Sequence, residues 1–212
     1  MTPPDPAPAP AQTPEPVVFI VDDDRAARES LSWLIGSINL KVAAFASAAE
    51  FLTAYAPEQP GCLITDVRMP GLSGLDLQAE LKRRGLEIPV IVVTGHGDVP
   101  MAVRAMKAGA FDFVEKPFND QVLIDLVQKA IERSFTLAQG QAERRDVRAR
   151  LDQLTPRERQ VFDMIVAGES NKGIAQALGI SEKTVEAHRA HIMDKMQARS
   201  LAELLKLAIA LD

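Results

Sequence analysis

The chain has 212 residues and a single cysteine, Cys62, so no intramolecular disulfide can form. That fits a reducing compartment. Cys62 stands in the apolar run Gly61-Cys62-Leu63-Ile64-Thr65, the setting of a buried inert thiol rather than a redox sensor. No apolar run approaches the roughly 18 residues that a membrane span needs. The first sixteen residues are rich in Pro and Ala. They lack the basic and apolar stretches of a secretion signal and read as a flexible, partly polyproline tail. A cytoplasmic location away from membranes is therefore expected. A strong basic excess is also missing. Residues 1–133 hold 12 basic and 18 acidic residues, and residues 134–212 hold 12 and 11. Bulk charge alone does not announce a nucleic-acid partner.

What is present is an alternation of short apolar strands and amphipathic helices over residues 17–133. Strands are expected at Val17–Val21, Lys41–Ala44, Cys62–Thr65, Pro89–Val93 and Ala110–Val114. Helices are expected at Arg25–Ile38, after the Ser47 cap with Glu50 completing a capping box, at Gly74–Arg84, at Val99–Ala108 and over about Asn119–Arg133. Five strands alternating with five helices predict a parallel sheet covered on both faces, with ligands outside the carboxyl ends of the strands. Those ends carry Asp22-Asp23-Asp24, Asp66, Thr94-Gly95 and Lys116-Pro117.

Three carboxylates gathered at one edge repel. A pair about 4 Å apart costs on the order of 4 kcal/mol at an effective dielectric of about 20. A hard divalent cation such as Mg²⁺ offsets this and holds a phosphoryl donor against a carboxylate nucleophile. In that scheme Asp66 is the nucleophile, and Asp22 and Asp23 hold the metal. Lys116 pairs with one phosphoryl oxygen, Thr94 bonds another, and Gly95 leaves the approach open.

Residues 134–154 change in character: charges of both signs and few apolar side chains read as a linker, helical in part. Val147, Leu151 and Leu154 form a thin apolar stripe suited either to a second subunit or to the following domain. From Thr155 the pattern is all helical. Thr155-Pro156-Arg157-Glu158 is a helix start. Ser170 and Ser181 begin two further helices separated by Gly179, and Ser200 begins a last one. Ala175, Gly179 and Val185 stand where a helix-turn-helix needs a small residue, a turn glycine and a buried apolar residue. On the second helix Val185, Ile192 and Met196 mark the core face, with His188 near it. Lys183, Glu186, Ala187, Ala190 and Asp194 mark the opposite face, next to Thr184, and because Asp194 repels phosphate the amino-terminal half is expected to enter the major groove. Lys183 reaches a guanine edge or a phosphate, Glu186 accepts from cytosine, and Ala187 touches a thymine methyl. Asn171 and Lys172 suit backbone phosphate at the start of the preceding helix. Arg189 flanks the core face and snorkels toward phosphate.

The stretches VDDD at 21–24, LITDVRMPGLSG at 63–74 and VVTGHGDVPMAVRAMKAGAFDFVEKPF at 92–118 resemble the receiver domain of response regulators, the last most like the FixJ branch. Residues 154–196 resemble the LuxR-type domain of the NarL/FixJ family. The resemblance implies a flavodoxin-like, doubly wound five-stranded parallel sheet (α/β) at 17–133, followed by an all-α helix-turn-helix domain at 155–212. It implies Asp66 as phospho-acceptor. Mg²⁺ is then held by Asp22, Asp23, Asp66 and the backbone carbonyl of Arg68, with Thr94 as switch hydroxyl, Lys116 as phosphate partner before a cis proline, and Phe113 at an aromatic switch position. The implied partners are a sensor histidine kinase, double-stranded promoter DNA, a second copy upon phosphorylation, and RNA polymerase. No enzyme activity is expected beyond assistance to its own phosphorylation and dephosphorylation. A dehalogenase-type phosphatase, the enzymatic alternative, wants a second Asp two residues after the nucleophile, and that position is Arg68. A regulator that ignores phosphate and dimerises through its receiver is the other alternative.

Overall fold

The computed structural model describes residues 15–57, 59–95 and 98–210. The proline- and alanine-rich stretch 1–14 and positions 58, 96, 97, 211 and 212 lie outside the described residues, so most of the expected tail does too. The chain divides into two compact units, one up to Ala138 and one from Gln139.

In the first unit, β1 (Val17–Val21), β2 (Lys41–Phe45), β3 (Gly61–Thr65), β4 (Val90–Thr94) and β5 (Asp112–Glu115) form one parallel sheet in the order β2-β1-β3-β4-β5. Every residue of β1, β3 and β4 is buried, as central strands covered on both faces require. The edge strands β2 and β5 are only partly covered. Alternation splits the core in two. Phe19, Val21, Leu63 and Val92 pack with α2 (Ala48–Ala54), α3 (Gly74–Arg83) and α4 (Val99–Lys107). Ile20, Ile64, Ile91 and Val93 pack with α1 (Arg25–Gly36) and α5 (Asp120–Leu151). Cys62 is fully buried there, and burial pushes its thiol up to about 12, so the inert reading holds.

Several element ends move by one or two residues, and two differences have a visible cause. β5 starts at Asp112 rather than Ala110 because the Phe111 N–H already bonds the Val90 carbonyl as the ladder begins. At α2, Ser47 caps the Glu50 N–H as expected, but the Glu50 carboxylate bonds Ala46 N–H, one residue before the cap.

The segment expected over 134–154 as a linker, helical in part, is helical over 134–151. Residues 134–151 continue α5 as one 32-residue helix with no break at Gly140. In the second unit, Val147, Leu151 and Leu154 are buried with α6 (Pro156–Val166), α7 (Asn171–Leu178), α8 (Glu182–Lys195) and α9 (Leu201–Ile209). Burying such a side chain contributes about 1.5–3 kcal/mol. The stripe therefore belongs to this unit's own core, and Arg150 adds a bond to the Met196 carbonyl at 3.2 Å. α7 and α8 make the helix-turn-helix. Ala175 and Val185 are buried where they cross, and Gly179 closes α7 at φ 65°, a left-handed turn that favours glycine.

Candidate functional site

Strand order reverses between β1 and β3, and the crevice at such a reversal is where an open parallel sheet binds ligands. The register pairs Val21 with Thr65, so Asp22 and Asp66 follow as neighbours. The Asp66 N–H donates to the Val21 carbonyl at 3.0 Å, and Lys116 N–H to the Thr94 carbonyl at 2.8 Å. Backbone pairing alone thus brings the four positions to one edge. The Lys116–Pro117 bond is cis.

Asp22 is 3% exposed. Its Oδ1 accepts from the Asp24 N–H at 2.9 Å and its Oδ2 from Lys116 Nζ at 3.0 Å. Arg28 donates to the Asp22 carbonyl at 2.6 Å and the Asp23 carbonyl at 3.3 Å, fixing the acidic loop from α1. Asp24, the third member of the run, is the N-cap of α1. Sequence reasoning missed both roles; the Asp followed by a helical pattern signalled the cap, and nothing signalled Arg28.

Asp66 is half-buried, and its Oδ2 accepts from the Arg68 N–H at 3.2 Å. Its Oδ1 is buried with no hydrogen-bond donor in standard geometry. Its carboxyl titrates above the ordinary range. Burial is the main cause, and the Asp22 carboxylate adds to it. Nearby Lys116, the Val67 N–H and the Thr94 hydroxyl pull the other way. Thr94 is buried at the end of β4, Gly95 is exposed beside it, and Phe113 on β5 is half-buried against the α3 and α4 side of the core.

The three carboxylates are not drawn to one point. Asp23 stays exposed, and no group of three His, Cys, Asp or Glu side chains is gathered as a metal cage among the described residues. Repulsion is relieved by Lys116 on Asp22 and by water around Asp23. The donor set still fits a hard cation: a buried, unpartnered carboxylate oxygen stands near a second buried carboxylate, and Mg²⁺ keeps several waters and needs few protein oxygens.

A raised carboxyl pKa lowers stability once the group is ionised. The penalty is complete at neutral pH and disappears as pH falls below the ordinary carboxylate range. Asp66→Asn in EDTA is therefore expected to raise the receiver melting temperature at pH 7. The gap should close toward pH 3, and a variant no more stable than wild type at pH 7 contradicts the electrostatic account.

Gly74 was read only as a helix start, but a Cβ there would meet the Asp66 carbonyl at 2.1 Å. The first turn of α3 is pressed against the backbone of the acceptor residue. A Cβ at Gly95 would meet nothing within 4 Å. Gly74→Ala is expected to cost the receiver about 2 kcal/mol by overpacking, and Gly95→Ala less than about 0.5 kcal/mol, both read from urea midpoints.

In the second unit, Lys183, Thr184, Glu186, Ala187 and Ala190 are exposed on α8, and Arg189 is half-buried. Val185, Ile192 and Met196 are fully buried on the other side, with His188 half-covered. Lys172 is exposed and Asn171 half-buried at the start of α7. Sequence reasoning missed what holds α8 in place: buried Glu158 accepts from Lys195 Nζ at 2.7 Å and from the Thr155 N–H at 2.8 Å.

Comparison with known proteins places these two sites in one context. Residues 18–128 match the response regulator receiver domain, and residues 152–208 match the bacterial regulatory proteins of the luxR family. The chain is 51% identical over 192 residues to the transcriptional regulatory protein FixJ of Azorhizobium caulinodans, covering 91% of each chain. It is 47% identical to nodulation protein W of Bradyrhizobium diazoefficiens, covering 91% of this chain and 85% of that one. Among solved structures it resembles the response regulator StyR (TM-score 0.72, 44% identity, 92% of this chain and 98% of that one). Full-length FixJ from B. japonicum follows with TM-score 0.55 at 44% identity, covering 94% and 98%. With a receiver sheet whose acidic edge is intact and a helix-turn-helix behind it, the chain belongs to the NarL/FixJ family of response regulators, transcription regulators controlled by phosphorylation.

Proposed function

We propose that Asp66 accepts a phosphoryl group from a sensor histidine kinase and that this shifts the receiver toward a state that dimerises and binds promoter DNA. The observation that carries the reading is the environment of Asp66: a half-buried carboxylate with one oxygen buried out of standard hydrogen-bond geometry, flanked by buried Asp22 and Thr94 and by half-buried Lys116. Such a carboxylate is a poor anion to leave alone and a good one to esterify. Gly95 beside it has no side chain, and a Cβ there would meet nothing within 4 Å among the described residues.

Mg²⁺, held by Asp22, Asp66 and the Arg68 carbonyl with Asp23 close by in water, would supply charge neutralisation while the phosphoryl group moves. The chain's own residues do the rest. Lys116 is ion-paired to Asp22, and a phosphoryl group on Asp66 competes for the same ammonium. The Thr94 hydroxyl, at the carboxyl end of β4 and bearing on Asp66, turns to a phosphoryl oxygen. α4 begins five residues later and carries exposed Val99, Val103 and Met106, an apolar face for a second copy beside Phe113. The re-packing is a population shift, and moving from mostly off to mostly on takes several kcal/mol of differential stabilisation.

In the helix-turn-helix, Lys183, Thr184, Glu186, Ala187 and Ala190 meet base edges and nearby sugar-phosphate, while Asn171, Lys172 and Arg189 meet backbone phosphate. Asp194 is exposed toward the far end of α8, so the amino-terminal half enters the groove. RNA polymerase is the downstream partner. No helix among the described residues is long and apolar enough to cross a membrane, in keeping with a cytoplasmic site of action.

The test needs no operator. Size in solution is measured for wild type and Asp66→Asn with Mg²⁺, with and without beryllofluoride, and acetyl phosphate labelling is read by intact mass. A monomer-to-dimer shift in wild type alone is the expected result. Labelling without a change in size sinks dimerisation as the switch, and no labelling sinks phosphate control itself.

A further inference from the structure

Asp23 stands between two well-fastened neighbours and is itself held from one side only. Asp22 is bound through its N–H to the Phe45 carbonyl at 3.3 Å, and through its carboxylate to the Asp24 N–H and Lys116. Asp24 caps the Ala26 and Ala27 N–H groups, and its carbonyl accepts from the Arg28 N–H at 3.0 Å. Asp23 is exposed, and among the described residues one side chain reaches it. Arg28 Nη1 donates to the Asp23 carbonyl at 3.3 Å and to the Asp22 carbonyl at 2.6 Å. Those carbonyls belong to the two peptide groups on either side of the Asp23 Cα. Each peptide group is planar, so holding both restrains φ and ψ at residue 23 and with them the direction of its side chain.

Arg28 has an easier partner that it does not take. Asp24 lies one helical turn before it, the spacing at which Arg25 pairs with Glu29 on the surface of the same helix. The Asp24 carboxylate is committed to the cap, and the Arg28 guanidinium turns back over the loop. The Asp23 carbonyl is at the surface, where water serves an acceptor nearly as well. Hydrogen-bond satisfaction therefore does not call for an arginine at this place. Charge does not call for it either, because a guanidinium beside an acidic edge repels a cation bound there. What Arg28 adds is order at residue 23.

We infer that Arg28 is a positioning residue for the divalent cation of the receiver: by pinning both peptide groups it fixes where the exposed Asp23 carboxylate stands beside Asp22. The inference rests on the reading of this edge as a Mg²⁺ site. Geometry and charge predict opposite signs. Losing the clamp lets Asp23 sample other directions and weakens Mg²⁺, as loss of an outer partner of a metal ligand does. Losing only a nearby positive charge strengthens it.

Mg²⁺ alone is titrated into the ¹⁵N-labelled full chain without any phosphoryl donor, and midpoints are read from amide shifts at residues 22–24 and 66–68, well below the melting temperature. Arg28→Met keeps the apolar stem and is expected to raise the midpoint about three- to tenfold. Arg28→Lys, shorter in reach but with more than one donor, should fall between that variant and wild type. In an Asp23→Asn background, Arg28→Met should change the midpoint less than about twofold, because the carboxylate it positions is gone. A midpoint unchanged in Arg28→Met, as a role confined to stability gives, or a lower one, as charge alone gives, overturns the inference and leaves the metal reading standing. So does an equal loss with and without the Asp23 carboxylate. No saturable shifts in wild type up to about 10 mM would overturn the metal reading and this inference together.

Discussion

Asp22→Asn is expected to slow acetyl phosphate labelling of Asp66 by about a hundredfold and to move its Mg²⁺ midpoint up at least about tenfold. The side chain is buried at the end of β1, one residue beyond the Val21–Thr65 pair, so its position is set by the sheet rather than by a mobile loop. Asparagine keeps the shape and can still accept from the Asp24 N–H, but it removes the charge. Lys116, now bound to Asp22 at 3.0 Å, then faces an amide and turns wholly to Asp66. Two terms of opposite sign follow. Less repulsion stabilises the unphosphorylated receiver, and loss of an anionic ligand weakens the hold on a divalent cation. The folded protein should therefore be no less stable while its chemistry collapses. Asp23→Asn removes a carboxylate that is already in water and should cost much less, about tenfold or under. Equal losses at positions 22 and 23, or a Mg²⁺ midpoint unchanged in Asp22→Asn, contradict the asymmetry seen between the two carboxylates.

That asymmetry was not legible in the sequence. Asp22-Asp23-Asp24 reads as three equal acids after a strand, and the residues are alike in everything but register. Register decides: Asp22 continues the buried strand, Asp23 points to water, and Asp24 caps α1 through Ala26 and Ala27. The sheet itself was legible because central strands are continuous apolar runs and helices show their 3.6-residue stripe. The site edge followed, since every candidate stood at a strand terminus. The segment 134–151 was legible as partly helical, but its continuity with α5 was hidden, because a charged segment with a thin stripe looks alike in a linker and in a helix whose apolar residues are buried by elements that come later in the chain. Long-range polar partners were hidden for the same reason. Nothing near Arg28, Gln78 or Lys195 in sequence names the Asp22 carbonyl, the Ala105 carbonyl or Glu158 as its mate.

The Glu158–Lys195 pair carries the second large effect, on the geometry of the DNA-reading unit. Glu158 is the third residue of α6 and completes a capping box with Thr155, a role its spacing announced. It is also 4% exposed and holds the end of α8 through Lys195, whose ammonium donates in addition to the Gln153 carbonyl at 3.2 Å. One carboxylate thus fastens the start of α6 to the helix that presents Lys183, Glu186 and Ala187. Hydrogen bonds from Lys195 and from the Thr155 N–H hold its pKa down to about 2. A carboxyl depressed in the folded state contributes stability that is complete above its unfolded value near 4.5 and is lost as pH falls through the folded value. Melting of this unit should therefore weaken steeply between about pH 4.5 and pH 2, and Glu158→Gln should flatten that slope. Glu158→Ala, which leaves two backbone and side-chain donors and a half-buried ammonium without their acceptor, is expected to cost about 2–3 kcal/mol at pH 7. Lys195→Met should cost less, because the capping box survives it. The discriminating readout is operator affinity well below the melting temperature: if Glu158 only stabilises the fold, Glu158→Gln binds DNA as wild type does, whereas a buttress for α8 predicts a loss of about tenfold that Lys195→Met reproduces.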